Sequence, residues 1–168
     1  MMKAHIAYFR GLLVHKYWVF VYAFKLGVPF WLALIHDISK FYPIEWFAYI
    51  KNFYNPDGTK RNVRDKIGSY DTNKQSDTFK RAWIHHQRNK HHWQAWCNIG
   101  DGGVVTPIDM PDIYIREMIA DWCGAGMSYS GKATPVKWYR VNKDKMILSN
   151  NTMNTIKTIL KIYFESEE

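Results

Sequence analysis

His36 and Asp37 stand side by side in Leu34-Ile-His-Asp-Ile-Ser-Lys40, at the end of an apolar run, with a lysine three residues after the aspartate. His15 lies upstream, the block His85-His86-Gln-Arg-Asn-Lys-His91-His92 lies downstream, and Asp121 follows on a later apolar segment. The order His, His-Asp, His, His, Asp supplies imidazole and carboxylate ligands for one or two divalent metal ions. Lys40 beside such a site supplies positive charge for a phosphate.

Each of these residues also has a plainer role. A lone histidine in an aromatic helix, as His15 is, more often makes a core hydrogen bond than a metal bond. Burying Asp37 after Phe30-Trp-Leu-Ala-Leu-Ile35 is costly unless it is paired or metal-bound. Alternatively, Asp37 caps the turn toward Phe41, His36 is a surface residue and Lys40 is a C-terminal helix cation.

The block between Trp83 and Trp93 holds four of the seven histidines. If its helix continues, His85, Asn89, His92 and Trp96 share one face, while His86, Asn89 and Trp93 form a competing one. Spacing does not choose between them. Asp121 has Glu117 one turn earlier, so one carboxylate can bind metal while the other orients a ligand histidine. The alternative is pairing with Arg116 or a lysine. Asp121, between Ala120 and Trp122, reads as the less solvated carboxylate.

The elements that must position these residues are nearly all helical. A first helix is expected over Ala4–Leu26, with Gly27 as its stop and Pro29 opening a second that reaches Ser39 and carries His36 and Asp37. A third spans Ile44–Phe53. Residues 55–75, rich in Asn, Asp, Gly and Lys, read as a mobile loop that can serve as a lid or be a solvated insertion. Ser76 or Asp77 caps a fourth helix reaching Arg88. Asn98–Pro107 reads as a loop, and no strand is expected. A fifth helix spans Pro111–Cys123, capped by Asp109 and stopped by Gly124. A sixth starts at Thr134-Pro135 and the last at Ser149 or Asn150, with Met153, Ile156, Leu160 and Tyr163 as its packing stripe. The fold class expected is an all-α bundle of about six to seven helices, with residues 1–168 as a single domain.

Composition sets bounds on partners. A length of 168 residues allows one domain with a sizeable core. Eight Trp, eleven Tyr and nine Phe make that interior aromatic, and hydrophobic residues at 47% argue against disorder. A net charge of +8 suits an anionic partner. Much of the excess falls in Lys51–Lys90, within and around the loop, which favours a small anionic substrate over nucleic acid, for which there is no reader motif. Cys97 and Cys123 do not make a disulfide framework, and with no secretory leader apparent a reducing cytoplasm is expected. The apolar run Gly11–Ile35 is interrupted by His15, Lys16, Lys25, Gly27 and Pro29, so two buried helices are expected and no membrane span.

Taken together, His15, His36-Asp37 and Asp121 resemble the four-ligand pattern of the HD-domain superfamily of metal-dependent phosphohydrolases. His36-Asp-Ile-Ser-Lys-Phe41, His85-His-Gln-Arg-Asn-Lys-His-His-Trp93 and Glu117-Met-Ile-Ala-Asp-Trp-Cys-Gly-Ala-Gly126 are similar to a small phage and bacterial family of undefined function. The superfamily resemblance implies a helical bundle with metal at its centre, Asp37 shared between two ions, and further histidines holding the second, drawn from His85, His86, His91 and His92, with His86 and His92 preferred.

The function expected is an enzyme that hydrolyses a nucleotide or other small phosphate ester with metal-activated water. Mn, Fe, Ni, Zn or Mg suits the ligand set. Lys40 would neutralise phosphoryl charge, with Arg88 or Asn89 positioning the phosphate. Two alternatives are a di-iron oxygenase on the same ligands and a non-catalytic binder that sequesters an anion.

Overall fold

The long apolar segment from Met2 forms one uninterrupted helix, α1 (Met2–Lys25), in a computed structural model that describes residues 2–63 and 71–164. Gly27 ends it at φ 74°, a conformation that a side chain disfavours. The Val28 amide then returns to the Ala23 carbonyl at 2.9 Å. A short helix, α2 (Phe30–Ile35), follows.

α2 does not reach Ser39 as expected. His36 is extended (ψ 132°) and Asp37 is left-handed (φ 57°), which breaks the helical ladder ahead of a 3-10 turn at Ile38–Phe41. The Leu34 and His36 carbonyls released there accept from Lys16 Nζ, the former at 3.3 Å. α3 (Pro43–Phe53) starts with proline in its first turn.

Of the expected 55–75 loop, residues 64–70 lie outside the described residues. The part before them makes a turn in which Asp57 Oδ1 accepts from the Thr59 amide at 2.9 Å, closed by a bridge between Tyr54 and Lys60. Ser76 caps α4 (Asp77–His86), its Oγ accepting from the Phe79 amide at 3.3 Å. α4 stops at His86, two residues short of Arg88, so neither helical face expected across the histidine block forms.

The expected loop at Asn98–Pro107 contains a small antiparallel hairpin, β1 (Cys97–Ile99) with β2 (Val105–Pro107). Gly103 at φ 77° permits its turn. α5 (Asp112–Ser130) runs seven residues past the expected end at Cys123 and is closed by Gly131 (φ 69°). Its N-cap is Pro111, while Asp109 accepts instead from Asn151 Nδ2 at 3.2 Å. Gly124 sits inside α5 because Val19 packs against it: a Cβ there would lie 2.4 Å from Val19 Cγ2. Close approach of two helices, not helix termination, is the reason for that glycine.

α6 (Pro135–Asn142) and α7 (Asn150–Phe164) complete the chain. On α7, Ile156 and Leu160 are buried as expected, but Thr152, Ile159 and Phe164 complete the stripe, with Met153 and Tyr163 half-buried. Seven α-helices among the described residues make the fold all-α.

These elements form two compact units with separate cores. One comprises the chain through Leu13 with Asp37–Asn89; Tyr8, Leu12, Tyr49, Ile50 and Phe79 fill it. The other comprises Val14–His36 with the chain from Lys90 onward; Val19, Leu26, Ile115, Met118, Ile156 and Phe164 fill it. A buried ring such as Phe79 or Phe164 contributes about 1.5–3 kcal/mol. Cys97 and Cys123 are free thiols.

The Gly11–Ile35 run is not buried all round. Tyr17, Phe24, Phe30 and Trp31 are exposed, because only the Val19, Ala23, Leu26, Leu32 side of the two helices meets the core. Among the described residues no helix is long and apolar enough to cross a membrane.

Candidate metal centre

In the second unit, α1 supplies His15, the turn after α2 supplies His36, and α5 supplies Glu117 and Asp121, one turn apart. Asp121 Oδ1 lies 3.1 Å from His15 Nε2 and 3.6 Å from His36 Nε2. On the other edge of the same ring, His36 Nδ1 lies 3.0 Å from Glu117 Oε1. That oxygen also lies 3.4 Å from His91 Nδ1, and the His36 and His91 rings are 4.2 Å apart.

His36 is sealed from solvent, while His15 and Asp121 keep 13% and 19% of their side-chain surface exposed. The group is therefore closed around His36 and reachable at its Asp121 edge.

Both carboxylates are held ionised. Burial pushes the Asp121 carboxyl up, but hydrogen bonds from His15 and His36 outweigh it and hold the group well below its usual range. Burial acts on Glu117 in the same sense and is outweighed by His36 and His91. An ionised Glu117 accepts the His36 Nδ1 proton, which leaves Nε2 as the nitrogen that faces Asp121 and would bind an ion.

Donor atoms of His15, His36 and Asp121 lie within 4.8 Å of one another. An ion about 2.0–2.2 Å from each nitrogen and oxygen needs such donors roughly 3–4 Å apart. The buried imidazole and carboxylate set fits a divalent ion, with Glu117 as the outer carboxylate that fixes its histidine ligand.

The first unit holds Asp37, Lys40, Glu45, His85, His86 and Asn89. Lys40 Nζ pairs with Asp37 Oδ2. Glu45 on α3 is fully buried and takes two neighbouring histidines of α4: His85 at Oε1, and His86 Nδ1 at 2.9 Å from Oε2. Burial pushes the Glu45 carboxyl up, but His86, His85 and Ser39 outweigh it and lower its pKa. Burial lowers that of His86. Neutral His86 thus donates Nδ1–H to ionised Glu45, leaving Nε2 toward Asp37 Oδ1 at 3.6 Å. Asn89 Nδ2 donates to Ser39 Oγ at 2.8 Å.

Asp37 is the one non-glycine residue with positive φ among the described residues. Aspartate tolerates that conformation better than most, at a cost of about 1–3 kcal/mol, and such strain clusters at functional sites.

Of the residues expected in the site, His15, His36 and Asp121 are brought together in one unit, and Asp37, Lys40, His86 and Asn89 in the other. Arg88 is exposed on the turn after α4. His92 is half-buried, its ring 4.3 Å from that of His91. The order of burial expected for the α5 carboxylates is reversed: Glu117 is buried, because it takes two histidines, and Asp121 is only partly buried. The residue that sequence reasoning passed over is Glu45, and His91 was one of the histidines offered for a second ion but not a preferred one. His91 had a signal, as a member of the histidine block. Glu45 had only its position in an otherwise aromatic helix.

A family model described as a family of unknown function, DUF5662, matches residues 4–162. No curated protein and no solved structure is matched.

Proposed function

The chain belongs to the DUF5662 family, and we propose that it is a metal-dependent phosphohydrolase of the HD type acting on a nucleotide or other small phosphate ester. One observation carries the reading: a single Asp121 oxygen faces the Nε2 atoms of His15 and His36, while Glu117 grips the opposite nitrogen of His36. Paired imidazoles with a carboxylate behind one of them favour a bound divalent ion.

His15, His36 and Asp121 would hold the ion. Asp37, the next residue along the chain from His36, is the further ligand implied by the resemblance. A bound divalent ion lowers the pKa of water and so supplies a hydroxide nucleophile near neutral pH. The chain's own part is to orient and to balance charge. Glu117 holds the Nδ1 proton of His36 and keeps its Nε2 available. Lys40, paired with Asp37, is the cation that would take charge on the phosphoryl oxygens. The net charge of +8 favours an anionic substrate.

The test is hydrolysis of bis(p-nitrophenyl) phosphate, p-nitrophenyl phosphate and a nucleotide panel by protein loaded with Mn²⁺, Fe²⁺, Ni²⁺ or Zn²⁺. Turnover that needs metal and falls about 100-fold in Lys40→Ala, with metal content unchanged, supports the reading. No turnover with any ion, with nucleotide recovered intact from a tight complex, replaces it with sequestration. Oxygen consumption by the iron-loaded protein replaces it with oxygenase chemistry.

A further inference from the structure

The corner formed by the second half of α1 and by α2 presents an apolar surface to solvent. Gly27 turns the chain, and α2 folds back along α1. Lys16 Nζ meets the Leu34 carbonyl at 3.3 Å, and the Phe20 and Phe30 rings pack edge-on at 5.6 Å. One side of this corner is core: Val19, Ala23, Leu26 and Leu32. The other carries Tyr17 and Phe24 from α1, and Phe30, Trp31 and Leu34 from α2, all more than half exposed, Phe24 at 74%. Tyr17 and Phe24, seven residues apart, share one face of α1.

Soluble monomers rarely leave so many large apolar side chains in one short segment in water. Three features select the occupant. Val14–His36 contains no carboxylate, and of its two lysines Lys16 serves the Leu34 and His36 carbonyls while Lys25 is exposed, so the exposed charge of the segment is positive. Lys25 is exposed in the last turn of α1, next to Phe24. A two-fold pairing of this face with a second copy would bring like charges together, with no acid in the segment to meet them. Tyr and Trp at the exposed edge are the residues that settle at the headgroup level of a bilayer, where a ring can be half wet. No helix among the described residues can span, so the corner would lie in the interface.

We propose that the α1–α2 corner docks on an anionic phospholipid surface, with Phe24, Phe30 and Trp31 inserted among the acyl chains and Lys25 at the headgroups. This stands apart from the metal chemistry.

Flotation of the full chain with vesicles tests it, using phosphatidylcholine alone or mixed with phosphatidylglycerol. Expected is binding to the mixed vesicles that weakens with salt, at least about tenfold weaker in Phe24→Ser/Trp31→Ser. Lys25→Glu should weaken binding to phosphatidylglycerol vesicles as well. Circular dichroism of each variant should match the parent, since the altered side chains point away from the core. Should the double variant misfold, Trp31→Phe keeps the shape, and loss of quenching by brominated phosphatidylcholine in the mixed vesicles then reads the insertion. Absence of flotation with either vesicle overturns the proposal, as does equal binding by the variants. A dimer in sedimentation velocity that the double variant dissociates overturns it in favour of a second copy.

Discussion

Glu117 Oε1 lies 3.0 Å from His36 Nδ1, and the other nitrogen of that ring faces Asp121 at 3.6 Å. The first contact makes the second useful: a carboxylate that accepts the Nδ1 proton fixes both the tautomer and the tilt of the imidazole. His36 is thereby a preorganised donor, sealed from water, at the inner end of a group that opens at Asp121.

Glu117→Gln should therefore weaken metal binding without abolishing it. The amide keeps the size of the side chain but is a poorer acceptor with no charge. The expected loss of affinity is about 10- to 100-fold, read by competition against a chromophoric chelator. Unchanged affinity would mean that Glu117 only balances charge in the interior.

Acid should unfold the metal-free protein through the same two carboxylates. Both Asp121 and Glu117 have pKa values lowered in the folded state. They stabilise it above their unfolded values near about 4, and that contribution is lost as pH falls through the lowered folded values. Tm should hold between neutrality and about pH 5 and drop below about pH 4, with a shallower drop in Asp121→Asn. A Tm that does not change between about pH 5 and pH 3 would contradict this account.

Gly124→Ala tests the packing that places Asp121. A Cβ would meet Val19 Cγ2 at 2.4 Å and the Val19 amide nitrogen at 2.9 Å. Alanine adds up to about 1 kcal/mol of helix propensity, but overpacking costs typically about 1–3 kcal/mol, so a lower Tm is expected. A higher Tm would show that α1 and α5 can separate at no cost.

The residues of the candidate metal centre were legible in the sequence where chemistry alone marks them. His15, His36 and Asp121 are types that an apolar helix does not carry without a partner, and the structure brings their side chains together. Glu117 was legible by its one-turn offset from Asp121. The histidine block was not: its faces were read on a continuing helix, whereas α4 ends at His86 and the turns after it put His91 against Glu117. Glu45 was hidden because a lone carboxylate in a helix's first turn is ordinary; only the fold shows it buried between His85 and His86. Gly124 misled for a related reason, since local propensity suggests a helix stop while the tertiary contact with Val19 calls for the same residue. The bend at His36-Asp37 reflects the demands of buried side chains, which a window of apolar periodicity does not register.

The most direct measurement is elemental analysis of protein purified without chelator or metal-affinity resin, beside Asp121→Asn prepared identically. The account predicts near-stoichiometric Mn, Fe, Ni or Zn in the parent chain and a large loss in the variant at unchanged circular dichroism. No metal in either protein, and none retained after incubation with Mn²⁺, Fe²⁺ or Zn²⁺ and desalting, would contradict it and leave the His15, His36, Asp121 group as a hydrogen-bonded network.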